Sequence, residues 1–146
     1  MTIRKMTIDD YDAVYALWLA TPGMGLNTTD DSREGIEKYL RRNPTTCLVA
    51  EENGELIGVS LGGHDGRRGF LNHAAVKASE RRRGIGELLL ERTMDALRDE
   101  GISKVALVCF KDNEIGNAFC EKHGFVVRHE LNYRNRSIVD ITYIRP

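Results

Sequence analysis

The sequence predicts one mixed α/β domain spanning residues 1–146, and three observations carry the prediction. Segments of strand and helix character follow one another in the order β-α-α-β-β-β-α-β-α-β-β. Two tight-turn dipeptides, Asn53-Gly54 and Asp65-Gly66, join three consecutive apolar runs, which requires antiparallel hairpins. A helix then separates the third run from "KVALVCF", which requires a right-handed parallel crossover from Phe70 through Phe110. A length of 146 residues suits one domain with one core.

Each element has its own reason. "MTIRKMT" is a short strand. Asp9 and Asp10 precede "YDAVYALWLA", where Tyr11, Val14, Tyr15, Leu17 and Trp18 fall near helical spacing behind an acidic start. "TPGMGLNTT", Thr21 to Thr29, is rich in breakers and reads as a loop. "DDSREGIEKYLRRN" is a second helix with Ser32 as its cap, an apolar face of Ile36, Tyr39 and Leu40, and Pro44 as its stop. "TCLVAEE" and "LIGVSLGG" flank the first hairpin turn, and "GFLNHAAVK" follows the second, "HDGRRG". Gly84 to Glu100 is a helix with Ile85, Leu88, Leu89, Ala96 and Leu97 as its apolar stripe, stopped by Gly101. "KVALVCF" is continuously apolar and reads as a central strand buried on both faces. "EIGNAFCEKHG" is a short helix closed by Gly124, and "FVVRHELNY" and "SIVDITYI", turning at "RNR", close the sheet.

Composition narrows the function. Lys plus Arg number 21 against 22 Asp plus Glu, so a general nucleic-acid binder is not expected and any basic function is local. No apolar run approaches the roughly 18 residues that span a bilayer, and "MTIRKMTIDD" lacks a signal-peptide core. Cys47, Cys109 and Cys120 are scattered and odd in number, and His64, His73, His123 and His129 show no ligand spacing. The expectation is a reduced, cytoplasmic protein with no metal and no membrane or nucleic-acid partner. The oligomeric state is open, with a homodimer one of the states allowed.

The most informative stretch is "SERRRGIGELLLER". A strand ends at Val76 or Lys77, a basic glycine loop follows, and a helix opens at Gly84. Free N–H groups and the macrodipole make such a helix start an anion seat. Gly84 and Gly86 allow close approach, and Arg81, Arg82 and Arg83 add charge and bidentate donors. The chemistry is that of a phosphate or pyrophosphate. A dinucleotide fingerprint is excluded because Leu89 stands where its third glycine belongs, and a P-loop because Gly-Lys-Ser/Thr is absent. A nucleic-acid patch and a merely solvated basic loop are the other readings.

The stretch "AVKASERRRGIGELLLERTMDAL" resembles the acetyl-CoA-binding motif of the GNAT family of N-acetyltransferases, through Val76, Arg81, Gly84 and Gly86. "DNEIGNAFCEKHGF" resembles the family's second motif, through Asn113, Phe119, Gly124 and Phe125. The resemblance implies a GNAT-like fold: a mixed, mostly antiparallel twisted sheet with a central, parallel, splayed strand pair, flanked by about four helices. It implies acetyl-CoA as co-substrate, with pyrophosphate on the N–H groups of Arg81, Arg82, Arg83, Gly84, Ile85, Gly86 and Glu87. It implies a pantetheine arm paired with the backbone of Ala74, Ala75 and Val76 and hydrogen-bonded by Asn113. The other reading of Asn113 is an N-cap of the helix that follows, a place either Asp112 or Asn113 can fill, so the two roles are compatible.

The family's reaction is direct attack of an amine on the thioester, which needs a proton acceptor, a donor to the thioester oxygen near Val76, and an acid for the thiolate. The sequence departs from the usual pair. Cys120 stands where many members carry an acidic Tyr, and Val108 where some carry Glu. Cys120 is either that acid or a small core residue. His73 is the remaining base candidate, with Asn72 able to orient a water; the alternative is a His73 paired within the sheet. Asp30, Asp31 and Glu34 either attract a cationic amine or serve the helix start. "TPGMGLNTT", "GGHDGRRG" and "ELNYRNRS" are candidate walls for the acceptor. The expected function is acetyl transfer to a primary amine in a ternary complex; a CoA-binding or sensing module without catalysis is the alternative.

Overall fold

The computed structural model describes residues 1–146. The chain opens with strand β1 (Thr2–Lys5), a 3-10 turn at Ile8–Asp10 and helix α1 (Tyr11–Leu19). A two-residue strand β2 (Leu26–Asn27) lies within the expected loop, and helix α2 (Arg33–Arg42) follows. Ser32 Oγ accepts the Gly35 N–H at 3.0 Å and so starts α2. Three strands come next: β3 (Cys47–Glu52), β4 (Glu55–His64) and β5 (Gly69–Val76). The β3–β4 turn has Asn53 and Gly54 at φ 53° and 76°, the left-handed pair that an Asn-Gly hairpin supplies. In the β4–β5 turn, Asp65 Oδ1 accepts the N–H groups of Arg67 and Arg68 at 2.8 Å each. Those two donors hold the Asp65 carboxyl below its ordinary pKa. Helix α3 (Ile85–Asp99), strand β6 (Val105–Ala106), helix α4 (Glu114–Lys122) and strand β7 (Tyr143–Ile144) complete the chain.

The main sheet has the order β1-β3-β4-β5-β6, antiparallel except for the parallel β5–β6 pair at its end. Its two faces follow the strand period. Val49 packs into the larger core with Val14, Trp18, Ile36 and Val59, under α1 and α2. Its neighbours Leu48 and Ala50 face the other way and pack with Ile57, Ile85 and Leu89 under α3. The buried line of α3 runs Ile85, Leu89, Thr93 and Leu97, with Leu90 beside it. Leu88 and Ala96, expected on the stripe, are only half-buried, whereas Thr93 is fully buried because its hydroxyl meets Ser60 Oγ at 3.0 Å. Gly58 and Gly62 let α3 approach β4: a Cβ there would stand 2.8 Å from Leu89 and 2.6 Å from Thr93.

The C-terminal third departs from expectation. "KVALVCF" pairs with β5 only through Val105 and Ala106, and beyond them Val108 and Phe110 are exposed rather than buried on two faces. The two strands diverge there, giving up their ladder. Phe110 instead packs against Gly25 and under the Arg145 guanidinium, 3.7 Å from the ring centroid. "FVVRHELNY" forms no strand, and of "SIVDITYI" only Tyr143 and Ile144 do, paired with β2. A strand needs an edge to pair with, and the two residues of β6 offer almost none. Val126, Val127, Leu131 and Ile138 are exposed in consequence.

Candidate functional site

The glycine-arginine loop forms a seat of unpaired donors. After a 3-10 turn at Ala78–Glu80, Arg82 and Gly84 both adopt left-handed backbone conformations, φ 65° and 78°. None of the consecutive N–H groups from Arg82 through Glu87 has a hydrogen-bond partner in the protein. Those of Ile85, Gly86 and Glu87 are the free donors of the first turn of α3; those of Arg82, Arg83 and Gly84 extend the row. An anion fits such a row because the donors and the helix dipole act together. The arginines differ. Arg81 and Arg82 are exposed and form no ion pair, whereas the Arg83 fork is engaged by Glu52, at 2.9 and 3.2 Å, and by Glu80. Only the backbone of Arg83 remains for an anion.

The seat opens into a cleft of about 890 Å³ between β5 and α4. Ala74, Ala75, Val76, Arg81, Arg82, Gly84, Ile85, Gly86, Glu87 and Asn113 line it; Arg83 does not. The cleft exists because β5 and β6 pair only at Gly69–Val105 and Phe70–Ala106. Past Phe70, the outer edge of β5 has no strand beside it. Lys77 N–H donates inward to the Ile57 carbonyl at 2.8 Å, so the Val76 N–H, one residue earlier, points to that open edge. Asn113 Oδ1 accepts the Gly116 N–H at 2.9 Å and caps α4, while its amide rests against Gly23 in the loop after α1. Its capping role and its place in the cleft wall do coexist.

A second cavity, also about 890 Å³, lies on the α1–α2 side of β5 and is lined by Asn27, Asp31, Tyr39, Asn72 and His73 among others. A bulge directs these side chains. Leu61 pairs with Asn72 and Val59 with Ala75, so His73 and Ala74 together oppose Ser60. His73 has φ 48°, unusual for a residue with a Cβ, and Trp18 Nε1 donates to its carbonyl at 3.0 Å. Its ring stands edge-on to Trp18, centroids 5.0 Å apart, and its Nε2 lies 2.7 Å from Asp31 Oδ1. Asn72 Nδ2 donates to the Tyr39 hydroxyl at 3.3 Å, and burial pushes that hydroxyl up to about 12.

The other sequence-derived candidates fall apart from this group. Cys120 is half-buried on α4 and lines neither cavity; burial raises its thiol pKa, with a smaller contribution from Cys109. Val108 is exposed. His64 Nδ1 accepts the Gly66 N–H in the hairpin turn, and His123 ends α4 with its ring 4.4 Å from Phe119. "TPGMGLNTT" contributes to both cavities, while "GGHDGRRG" and "ELNYRNRS" contribute to neither. Sequence reasoning missed Tyr39 and Arg145. Tyr39 reads as an apolar helix position, and Arg145 lies in no motif, yet it lines the cleft and pairs with Asp112.

The acetyltransferase (GNAT) family matches residues 11–125. An acetyltransferase of Photorhabdus laumondii is 35% identical over 98% of this chain and 100% of its own. Among solved structures, Ard1 of Thermoplasma volcanium superposes with a TM-score of 0.76 at 24% identity, over 87% of this chain and 83% of that one. An N-acetyltransferase of Thermoplasma acidophilum, solved in complex with coenzyme A, superposes at 0.73 and 18% identity over 99% and 98%. No helix is long and apolar enough to cross a membrane. With a matching family over most of its length and a relative covering nearly all of it, the chain belongs to the GNAT family of acetyltransferases.

Proposed function

We propose that this single domain transfers an acetyl group from acetyl-CoA directly to a primary amine, with both substrates bound at once. One observation carries the reading. Consecutive residues of β5 serve two cavities, Asn72 and His73 the one under α1–α2, and Ala74, Ala75 and Val76 the one that ends in the unpaired N–H row. A donor entering from one side and an amine from the other would therefore meet at β5.

The roles follow from the chemistry of each group. The N–H groups of Arg82 to Glu87, with the free cations Arg81 and Arg82, suit the pyrophosphate of acetyl-CoA. The open edge of β5 suits an extended arm with its own amides, pairing as an added strand. The Val76 N–H suits the thioester oxygen, which gains charge as the amine attacks. His73 suits the amine's proton. As the C–N bond forms and the C–S bond breaks, the imidazole takes one proton from nitrogen and passes it to solvent, and the thiolate is reprotonated from solvent. Cys120, outside both cavities, has no part in this scheme. The amine cavity carries Asp30, Asp31 and Glu34 against Lys38 and Arg42, so its mixed charge selects no single acceptor class.

The test is a panel of small amines, amino acids, peptide N-termini and protein lysines with acetyl-CoA, followed by free-thiol detection. Amine-dependent thiol release with a mass increase of one acetyl group on the acceptor is expected. Tight CoA binding with no amine-dependent release in single-turnover experiments would establish a CoA-binding module instead.

A further inference from the structure

An aspartate ahead of a helix ordinarily needs no explanation beyond the helix itself. Asp31 differs because it is buried, with its side chain only 5% exposed, and both of its oxygens are committed. Oδ2 accepts the Asn27 N–H at 2.8 Å, and Oδ1 lies 2.7 Å from His73 Nε2. Its own carbonyl accepts the Tyr11 hydroxyl at 2.6 Å, which anchors the residue to α1. His73 is fixed from its own side by the bulge, by its left-handed backbone and by Trp18. A non-glycine residue is held in that conformation only where the surroundings over-determine it, and such residues cluster at working sites.

An ionised carboxylate only accepts, so the hydrogen between His73 and Asp31 sits on Nε2. The neutral ring then has Nδ1 as its free acceptor. Nδ1 has no partner in the protein, and no side-chain nitrogen or oxygen is both buried and unpaired, so Nδ1 is open to the cavity. The geometry points to Asp31 as a positioning residue: it holds the His73 imidazole in the Nε2–H tautomer and so presents Nδ1 as the proton acceptor. This rests on the reading of His73 as the base.

The informative variant is Asp31→Asn. Its amide has one oxygen, which the part-buried Asn27 N–H engages. The NH₂ group then faces His73 Nε2, which can pair with it only as an acceptor, and the ring hydrogen moves to Nδ1. The experiment measures the histidine tautomer by long-range proton–nitrogen NMR, and steady-state kinetics with the best acceptor from the panel. In the wild-type protein His73 should show hydrogen on Nε2; in Asp31→Asn it should move to Nδ1. kcat should fall by about a hundredfold or more, within the range a misplaced general base costs, while acetyl-CoA affinity stays within about twofold. His73→Gln should cause a similar loss, and Asp31→Asn should cost little more in that background.

The outcomes separate the two claims. Full activity in His73→Gln refutes His73 as the base. A large loss in His73→Gln with wild-type kcat in Asp31→Asn leaves the base standing and overturns the role of Asp31. Equal losses that multiply in the double variant also overturn it, since Asp31 then does not act through His73. The wild-type tautomer needs no variant, so hydrogen on Nδ1 there overturns the inference even if Asp31→Asn fails to fold.

Discussion

Replacing Gly84 tests the anion seat most directly, because the structure separates charge from space. Gly84 has φ 78°, and a Cβ there meets nothing within 4 Å. Gly84→Asp therefore has room and carries only a backbone cost of about 1 kcal/mol, less for Asp and Asn than for other residues. Its carboxylate, however, would sit among the unpaired N–H groups. At about 4 Å, two unit charges repel by about 1 kcal/mol in water and about 4 kcal/mol at a protein-surface dielectric. The seat is exposed, so the low end applies per charge, and a pyrophosphate carries about two. The carboxylate also occupies donors the ligand would use. Together these give about 2–4 kcal/mol, or about 30- to 1,000-fold in CoA affinity. Gly84→Asn shares the backbone strain and the shape without the charge. Calorimetric titration of both folded variants with CoA isolates the electrostatic part, which should shrink as salt is raised. Equal affinity in the Asp and Asn variants would refute the pyrophosphate assignment.

Three further outcomes are expected. His73→Ala should lower kcat/KM for the amine by about a hundredfold near neutral pH, with the loss shrinking as pH rises and more amine is neutral; superimposable pH–rate profiles would show a purely structural histidine. Cys120→Ala should lower kcat by less than about tenfold, since the thiol lines neither cavity, and a hundredfold loss at unchanged acetyl-CoA affinity would make it the acid after all. Asp10 accepts both Arg4 Nη groups at 2.8 and 2.9 Å and the Thr7 N–H at 2.9 Å, and the Arg4 guanidinium chiefly holds its carboxyl below its ordinary pKa. A lowered pKa stabilises the fold above the unfolded-state value of about 4 and is lost as pH falls below it. Asp10→Asn should therefore cost about 1 kcal/mol at neutral pH, with solvent screening of the half-exposed Arg4 included, and flatten the acid limb of the Tm–pH curve. An unchanged acid limb would show that the pair contributes nothing.

The local signals proved sound wherever one stretch of chain decides its own conformation. The Asn53-Gly54 turn, the Ser32 and Asn113 caps and the Gly101 stop all stand where the residue types require them. The row of free donors was legible for the same reason, because a helix start after a glycine loop leaves its first N–H groups unpaired. Reading α3 from periodicity captured Ile85, Leu89 and Leu97 but not Thr93, whose burial depends on a hydroxyl partner across the sheet.

Other features of the chain depend on a distant partner. "KVALVCF" has the composition of a central strand, but a strand exists only where another offers a matching edge, and β5 and β6 diverge after two residues. "FVVRHELNY" lost its pairing in turn. Asp31 shows the same limit at the site. By itself the sequence determined the family motif, the row of free donors at the glycine loop and His73 as a candidate base, because each is a property of a few adjacent residues. Only the tertiary structure decided that Arg83 is spent on Glu52 and Glu80, that Cys120 lines neither cavity, and that Asp31 meets His73. Those are contacts between residues far apart in the chain, and no local pattern encodes which of several possible partners the fold brings within hydrogen-bonding distance.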